Sequence, residues 1–166
     1  MRTSKTYNGT VHTYTYNGSL LASDVVKNSS GVLQYAFYFR YDQNGAPIGF
    51  GYKSSSSAAI VEYYYLKNLQ GDITGIVDTS GNLVATYVYD AWGNHLSITG
   101  SNTDLANKNP LRYRGYVFDS ESSLYYLQSR YYSPAIGRFI SADGYISTGS
   151  GILGHALNMQ GGAKNI

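Results

Sequence analysis

The residues that could do chemistry in this 166-residue chain are few and scattered. Gly149-Ser150-Gly151-Ile152-Leu153-Gly154 has the G-x-G-x-x-G spacing with which a glycine-rich turn lets a pyrophosphate approach the backbone at a helix N-terminus. It follows no buried parallel-strand pattern, and the sequence ends before an acidic residue about 20 positions further on could hold a ribose, so no cofactor is expected. His12, His95 and His155 stand far apart, without the i, i+4 spacing of a zinc helix or a cysteine nearby. They read as turn or surface histidines, and no metal is expected. Asp78-Thr79-Ser80-Gly81-Asn82 offers oxygen atoms in a short loop but lacks the distal Glu and the carboxylate number of a calcium loop, so it reads as a turn. Asn8-Gly9-Thr10, Asn17-Gly18-Ser19 and Asn28-Ser29-Ser30 fit the glycosylation acceptor pattern and equally mark hairpin turns. Trp92 with the surrounding tyrosines could form a platform on which sugar rings stack.

The elements that would position such groups are strands. Tyr14-x-Tyr16-Asn17-Gly18, Tyr38-x-Arg40-Tyr41-Asp42-x-x-Gly45 and Tyr87-x-Tyr89-Asp90-x-x-Gly93-Asn94 repeat one unit: a strand ending in Tyr, then Asp or Asn, then Gly. Alternating Tyr and Val put one row of rings on each face. The Asp or Asn opens a turn by bonding its own backbone, and the Gly takes positive φ. Tyr63 to Val77, the turn at 78–82 and Leu83 to Tyr89 read as strand, turn, strand. Lys53 to Ala59 reads as a loop. The polar run Ser97 to Lys108 reads as a connection, in which Thr103-Asp104 could cap one turn of helix. Ile152 to Met159 could form a short helix.

Composition agrees. The chain has 19 Tyr, 19 Gly and no Cys, which suits an all-β fold with many turns and little helix and removes disulfides and thiolate metal sites. A net charge of +2, with basic residues dispersed apart from Arg112, Arg114, Arg130 and Arg138, lacks the patch that nucleic acid needs. The N-terminus has no apolar signal region, and no run approaches the roughly 20 apolar residues of a membrane span.

From Asn109 to Tyr145 the sequence carries Arg112-x-Arg114-Gly115-Tyr116, then Leu124-Tyr125-Tyr126-Leu127-x-x-Arg130-Tyr131-Tyr132-x-Pro134-x-x-Gly137-Arg138-Phe139-Ile140-x-x-Asp143. By alternation, Arg112 to Phe118, Leu124 to Arg130 and Arg138 to Ile140 read as strands. The pattern resembles the Rhs/YD-repeat associated core domain. It departs from that family at Ser122-Ser123, where Thr-Gly is common, and at Ser133, where Asp usually precedes the proline.

The resemblance implies a right-twisted spiral of antiparallel β-hairpins: repeat hairpins over 1–96, a connecting loop over 97–108, the core motif over 109–145 and a partly disordered tail over 146–166. It implies a segment of the shell of a secreted or surface polymorphic toxin, which encloses and delivers a C-terminal toxin that this chain lacks. The parent's export signal would then lie upstream. Expected partners are the rest of the shell and its toxin. A sheet with unpaired edges should also self-associate. Some relatives cleave themselves at an aspartyl-protease-like site, and the matching positions are Arg130 and Asp143. The second carboxylate of a dyad is missing, so an ion pair between these two is the expected state and an enzyme is not. The competing readings are a cell-wall glycan-binding repeat module and a remnant of that autoproteolytic core.

Overall fold

The structure is a computed structural model and describes residues 1–140. Nine strands form one antiparallel sheet in the order of the sequence: β1 (Ser4–Tyr7), β2 (Thr10–Asn17), β3 (Leu20–Asn28), β4 (Leu33–Tyr41), β5 (Pro47–Lys53), β6 (Val61–Lys67), β7 (Ile73–Asp78), β8 (Leu83–Tyr89) and β9 (His95–Gly100). Helix α1 (Thr103–Lys108) and a single 3-10 turn (Tyr113–Gly115) lead into a four-stranded sheet of β10 (Val117–Asp119), β11 (Leu124–Leu127), β12 (Arg130–Ser133) and β13 (Arg138–Phe139). The all-β hairpin architecture expected from the repeats is therefore present.

Five of the hairpin loops are one device. The side-chain Oδ1 of Asn28, Asp42, Asn68, Asp78 or Asp90 accepts the backbone N–H groups two and four residues on, at 2.8–3.0 Å. The third residue on is always a glycine, with φ between +78° and +93°. Local bonding of the backbone by Asp or Asn is what makes these residues turn formers. In the units Tyr41-Asp42 and Tyr89-Asp90 the last ring of a strand is thus followed by this self-capped loop, whereas Tyr16-Asn17-Gly18 runs into the two-residue turn Gly18-Ser19.

Directly opposed residues share a sheet face. Tyr14, Asp24, Phe37 and Tyr52 lie in one such row, and Phe39, Phe50 and Tyr63 in the next. Ring centroids across the strands are 5.0 Å apart for Phe37 and Tyr52 and 5.4 Å for Phe50 and Tyr63. Phe37, Phe50, Ile73, Ile76 and Ala85 are completely buried on this face, together with Leu105 and Leu111 from the segment that covers it.

Several expectations change. Tyr63 to Val77 is two strands with the Asn68 loop between them, Leu124 to Arg130 breaks at Gln128 (φ +62°) between β11 and β12, and His12 is buried within β2 instead of lying in a turn or at the surface. Residues 97–108 are more than a loop: they hold the end of β9 and α1, whose cap is Asn102, accepting the Leu105 N–H at 3.0 Å, rather than Thr103 or Asp104. Arg112 to Phe118 is not one strand. Leu111 bridges to Val117, and the chain folds back on itself at Arg114 (φ +53°) and Gly115 (φ +69°). The segments with the possible helix at 152–159, the Gly149–Gly154 run, His155 and Asp143 lie outside the described residues.

The turn device makes a separable prediction. Replacing Asn28 by Ala should cost about 1–2 kcal/mol by freeing the N–H groups of Ser30 and Val32, whereas Asn28→Asp, which keeps the acceptor, should cost under about 0.5 kcal/mol. Urea unfolding of both variants reads the difference.

Candidate functional site: the core segment docked on the hairpin turns

In a meander, alternate turns lie at the same end of the strands. The loops β2–β3, β4–β5, β6–β7 and β8–β9 form one such row, and residues 109–134 are bonded along it. At the β8–β9 loop, three tyrosine hydroxyls donate to successive backbone carbonyls: Tyr113 to Ala91 (3.0 Å), Tyr132 to Trp92 (2.9 Å) and Tyr125 to Gly93 (2.9 Å). Asn94 Nδ2 donates to the Pro134 carbonyl at 3.1 Å. A β-carbon on Gly93 would stand 2.6 Å from the Tyr113 ring, so this turn needs its glycine for space as well as for its φ of +93°. At the β6–β7 loop the Arg114 N–H donates to Asp72 Oδ1 (3.0 Å), and at the β2–β3 loop Gln128 Nε2 donates to the Ser19 carbonyl (2.9 Å).

Arg112 lies at the centre, 4% exposed. Its Nε donates to the Asn109 carbonyl (3.0 Å), and one terminal nitrogen donates to the Asn107 carbonyl (2.7 Å) and, at 3.4 Å, to that of Ala106. The other terminal nitrogen lies 3.1 Å from His95 Nε2. The guanidinium also stands over the rings of Phe118 (4.7 Å) and Tyr87 (5.6 Å). It therefore closes the C-terminal end of α1, where carbonyls lack intrahelical partners and carry partial negative charge. Burial lowers the Arg112 pKa, and the neighbouring tyrosines oppose that shift. Because an arginine can only donate, His95 Nε2 is the acceptor and Nδ1 carries the proton. Burial, and then the Arg112 charge, push the His95 pKa down to about 4. Asn109, wholly buried, ties the cluster to the sheet by accepting from the Tyr65 hydroxyl (2.6 Å) and donating to that of Tyr87 (3.2 Å).

A clasp from the N-terminus closes the other side. The Arg2 guanidinium is bidentate on Asp119, at 2.5 and 2.9 Å, and lies between the rings of Tyr14 (4.9 Å) and Tyr126 (4.8 Å). Lys5 reaches Asp119 at 3.1 Å and Glu121 at 2.8 Å. Burial alone would raise the Asp119 pKa, but Arg2 and then Lys5 outweigh it and hold the carboxyl below its ordinary value. Glu121 is lowered in the same sense, with Lys5 outweighing burial. No sequence signal points to Arg2, because its partner is 117 positions away.

Between clasp and core segment lies a cavity of about 450 Å³ onto which His12 and His95 both open, with charges of both signs around it. His12 Nδ1 stands 3.0 and 3.1 Å from the two carboxylate oxygens of buried Asp24. Among the described residues no group of three or more His, Cys, Asp and Glu is arranged to hold a metal.

The motif residues fall into three roles. Arg112, Tyr125 and Tyr132 anchor the segment, while Tyr126 carries the Arg2 clasp and packs at a tilt on Tyr131, its register partner, with ring centroids 5.2 Å apart. Arg114, Gly115 and Tyr116 form the fold-back, and Pro134 and Gly137 fit against the β8–β9 loop, Gly137 beneath the Trp92 ring. Arg138 and Phe139 are exposed on the last strand. Arg130 stacks on Phe139, 4.0 Å from the ring centroid. Its expected ion partner, Asp143, lies outside the described residues. Trp92 is 58% exposed and pairs with no other ring among them.

Residues 55–150 match the family model described as the Teneurin YD-shell. The chain belongs to the YD-shell family. It is 36% identical over 142 residues to the tRNA3(Ser)-specific nuclease WapA of Bacillus spizizenii and 37% identical over the same length to the tRNA nuclease WapA of Bacillus subtilis strain 168. Each alignment covers 86% of this chain and 6% of the relative, so the chain spans a small part of the curated relatives it matches. Among solved structures, TcdB2-TccC3 superposes with a TM-score of 0.66 at 23% identity, covering 85% of this chain and 7% of that one. A chain of the Photorhabdus luminescens Tc holotoxin pore gives 0.67 at 22%, covering 87% and 7%. These structures share the fold of the YD-shell chain.

Two measurements check the buried centre. Arg112→Lys keeps the charge but loses the planar fork, and by leaving at least two carbonyls unpaired should cost on the order of 2–3 kcal/mol in denaturant unfolding. His95 should titrate well below its ordinary value in an NMR titration, with the proton on Nδ1. The unfolded chain then binds more protons between about pH 4 and pH 6.5, so stability rises with pH across that window, by at most about 2 kcal/mol once solvent screening is allowed for. His95→Gln should flatten that slope, and a His95 midpoint near 6.5 would contradict the buried acceptor.

Proposed function

We propose that this chain is wall and closing piece of a shell that encloses and delivers a toxin carried by the same parent protein. The observation that carries this reading is the covering of one aromatic face of a nine-stranded meander by a segment pinned to its turns. A meander adds strands without altering those already in place, so a wall of any extent can be built from one unit and stopped by one docked segment. The WapA relatives are named as tRNA nucleases, and on this reading their cutting activity belongs to the remainder of those proteins, while this segment is not itself an enzyme. Secretion and placement at the cell surface or cell wall belong to the parent. Among the described residues no helix is long and apolar enough to cross a membrane.

The same reading disfavours self-cleavage by the described acids. A dyad needs one carboxyl held protonated, and Asp119 and Glu121 are both ion-paired and shifted the other way. The glycan alternative rested on ring stacking around Trp92, which stands alone over Gly137.

A wall segment has strand edges that seek a neighbour. In β1 the pair Tyr7 and Thr10 flanks the two-residue turn at Asn8-Gly9, and Tyr14 N–H bonds to the Thr3 carbonyl, so the Thr6 N–H points away from β2. On its own the chain should form oligomers in multi-angle light scattering, and Thr6→Pro, which removes an outward donor and no internal bond, should return it to monomer. A wild-type chain that stays monomeric at high concentration would count against a wall that continues through β1.

A further inference from the structure

Where the β2–β3, β4–β5 and β6–β7 loops meet the fold-back of the core segment lies an open groove of about 470 Å³. Its size falls in the range of small-molecule sites, roughly 300–1,000 Å³. Its floor is apolar, with Leu20, Leu21, Tyr41, Leu111 and Val117 among the residues that form it. Two side chains at its rim are cationic, Lys67 and Arg114, and no Asp or Glu lines it.

We propose that this groove binds an amphiphilic organic anion: a small apolar body bearing one carboxylate, sulfonate or phosphate. Three observations carry the proposal. First, neither cation is held in an ion pair, although the Arg114 guanidinium also rests over the Tyr113 ring, 5.5 Å from its centroid. Lys67 and Arg114 make no ion pair among the described residues, unlike Arg2, Lys5, Arg40 and Lys108. The nearby carboxylate, Asp72, is already engaged, one oxygen by the Asn68 amide (2.6 Å) and the other by the Arg114 backbone N–H (3.0 Å). Second, the fold holds Arg114 there at a cost. Its φ of +53° is a left-handed conformation that residues with a β-carbon adopt uncommonly, and the bond from its N–H to Asp72 helps to hold it. Gln128, across the groove, is held at φ +62° with its amide on the Ser19 carbonyl. Third, an open groove in which Leu20, Tyr41 and Val117 are partly exposed beside two cations outside any ion pair suits a ligand with an apolar part and a single negative end. A neutral apolar ligand would leave the cations unused, and a fully polar one would leave the floor in water.

The test uses the whole chain and a matched pair of fluorescent probes, 1-anilinonaphthalene-8-sulfonate and its neutral counterpart N-phenyl-1-naphthylamine. The sulfonate should bind one saturable site per chain, and the neutral probe about tenfold more weakly, as expected for the loss of one charge-assisted contact. Lys67→Gln and Arg114→Gln, both changes to exposed side chains, should each weaken the sulfonate severalfold and leave the neutral probe unchanged. Ala46→Trp, which fills the groove, should abolish both signals while circular dichroism stays that of the native sheet. Equal affinity for the two probes, indifference to the two glutamine variants, or undiminished binding in a folded Ala46→Trp protein would each overturn the assignment.

Discussion

The arrangement depends on a buried positive charge, that of Arg112, which has no carboxylate partner among the described residues. Arg112 is surrounded by the carbonyls of Ala106, Asn107 and Asn109, the imidazole of His95 and two aromatic faces, all neutral groups that present their negative side. A carboxylate partner would bring its own desolvation cost, of several kcal/mol for a buried ion. Carbonyls at the end of a helix lose hydrogen bonds in any case unless something supplies them. The guanidinium therefore meets two needs of the fold at once, solvation of its charge and closure of α1. Because its partners come from β9, α1 and the loop that follows, displacing any one of them uncovers the charge. That coupling is what makes the junction of the large sheet and the core segment a single object.

Tyrosine is the second part of the same logic. Seven tyrosine hydroxyls among the described residues donate to backbone carbonyls, those of Tyr16, Tyr41, Tyr87, Tyr89, Tyr113, Tyr125 and Tyr132. The ring buries apolar area against the sheet, and the hydroxyl, several ångströms from the backbone, reaches a loop that a serine could not. A phenylalanine would give the area and leave the carbonyl bare. Burial raises the pKa of the phenols of Tyr16, Tyr41, Tyr87, Tyr89, Tyr125 and Tyr132, that of Tyr87 to about 12, so these remain neutral donors across any ordinary pH. The richness in tyrosine thus follows from the need to fasten loops onto a sheet without placing charge inside.

Much of this was legible in the sequence because the repeat unit is a local structure. Asp42, Asp78 and Asp90 act within four residues of themselves, so the motif and the turn are the same thing. Expectations failed where a local pattern had two solutions. Arg112 to Phe118 alternates like a strand, yet the Arg114-Gly115 pair, a dipeptide able to take positive φ twice, breaks it, and that pair was the available warning. Residues 97–108 read as a loop because β9 is an edge strand with most of its side chains in water, so its composition is polar. Asn102 was overlooked as the helix cap in favour of its neighbours. Arg2 was invisible for a different reason, since nothing local marks a residue whose partner is more than a hundred positions away.

That separation also orders the assembly. Every neighbouring pair of strands in the large sheet is joined by a short connection, so its ladder forms from local contacts with little loop entropy to overcome. The core segment requires its turns to exist first, because its tyrosines bond to carbonyls that are presented only by finished hairpins. Arg2 and Lys5 can meet Asp119 only after both sheets are in place. The clasp therefore depends on both sheets at once, and an opening of β1 gives it up.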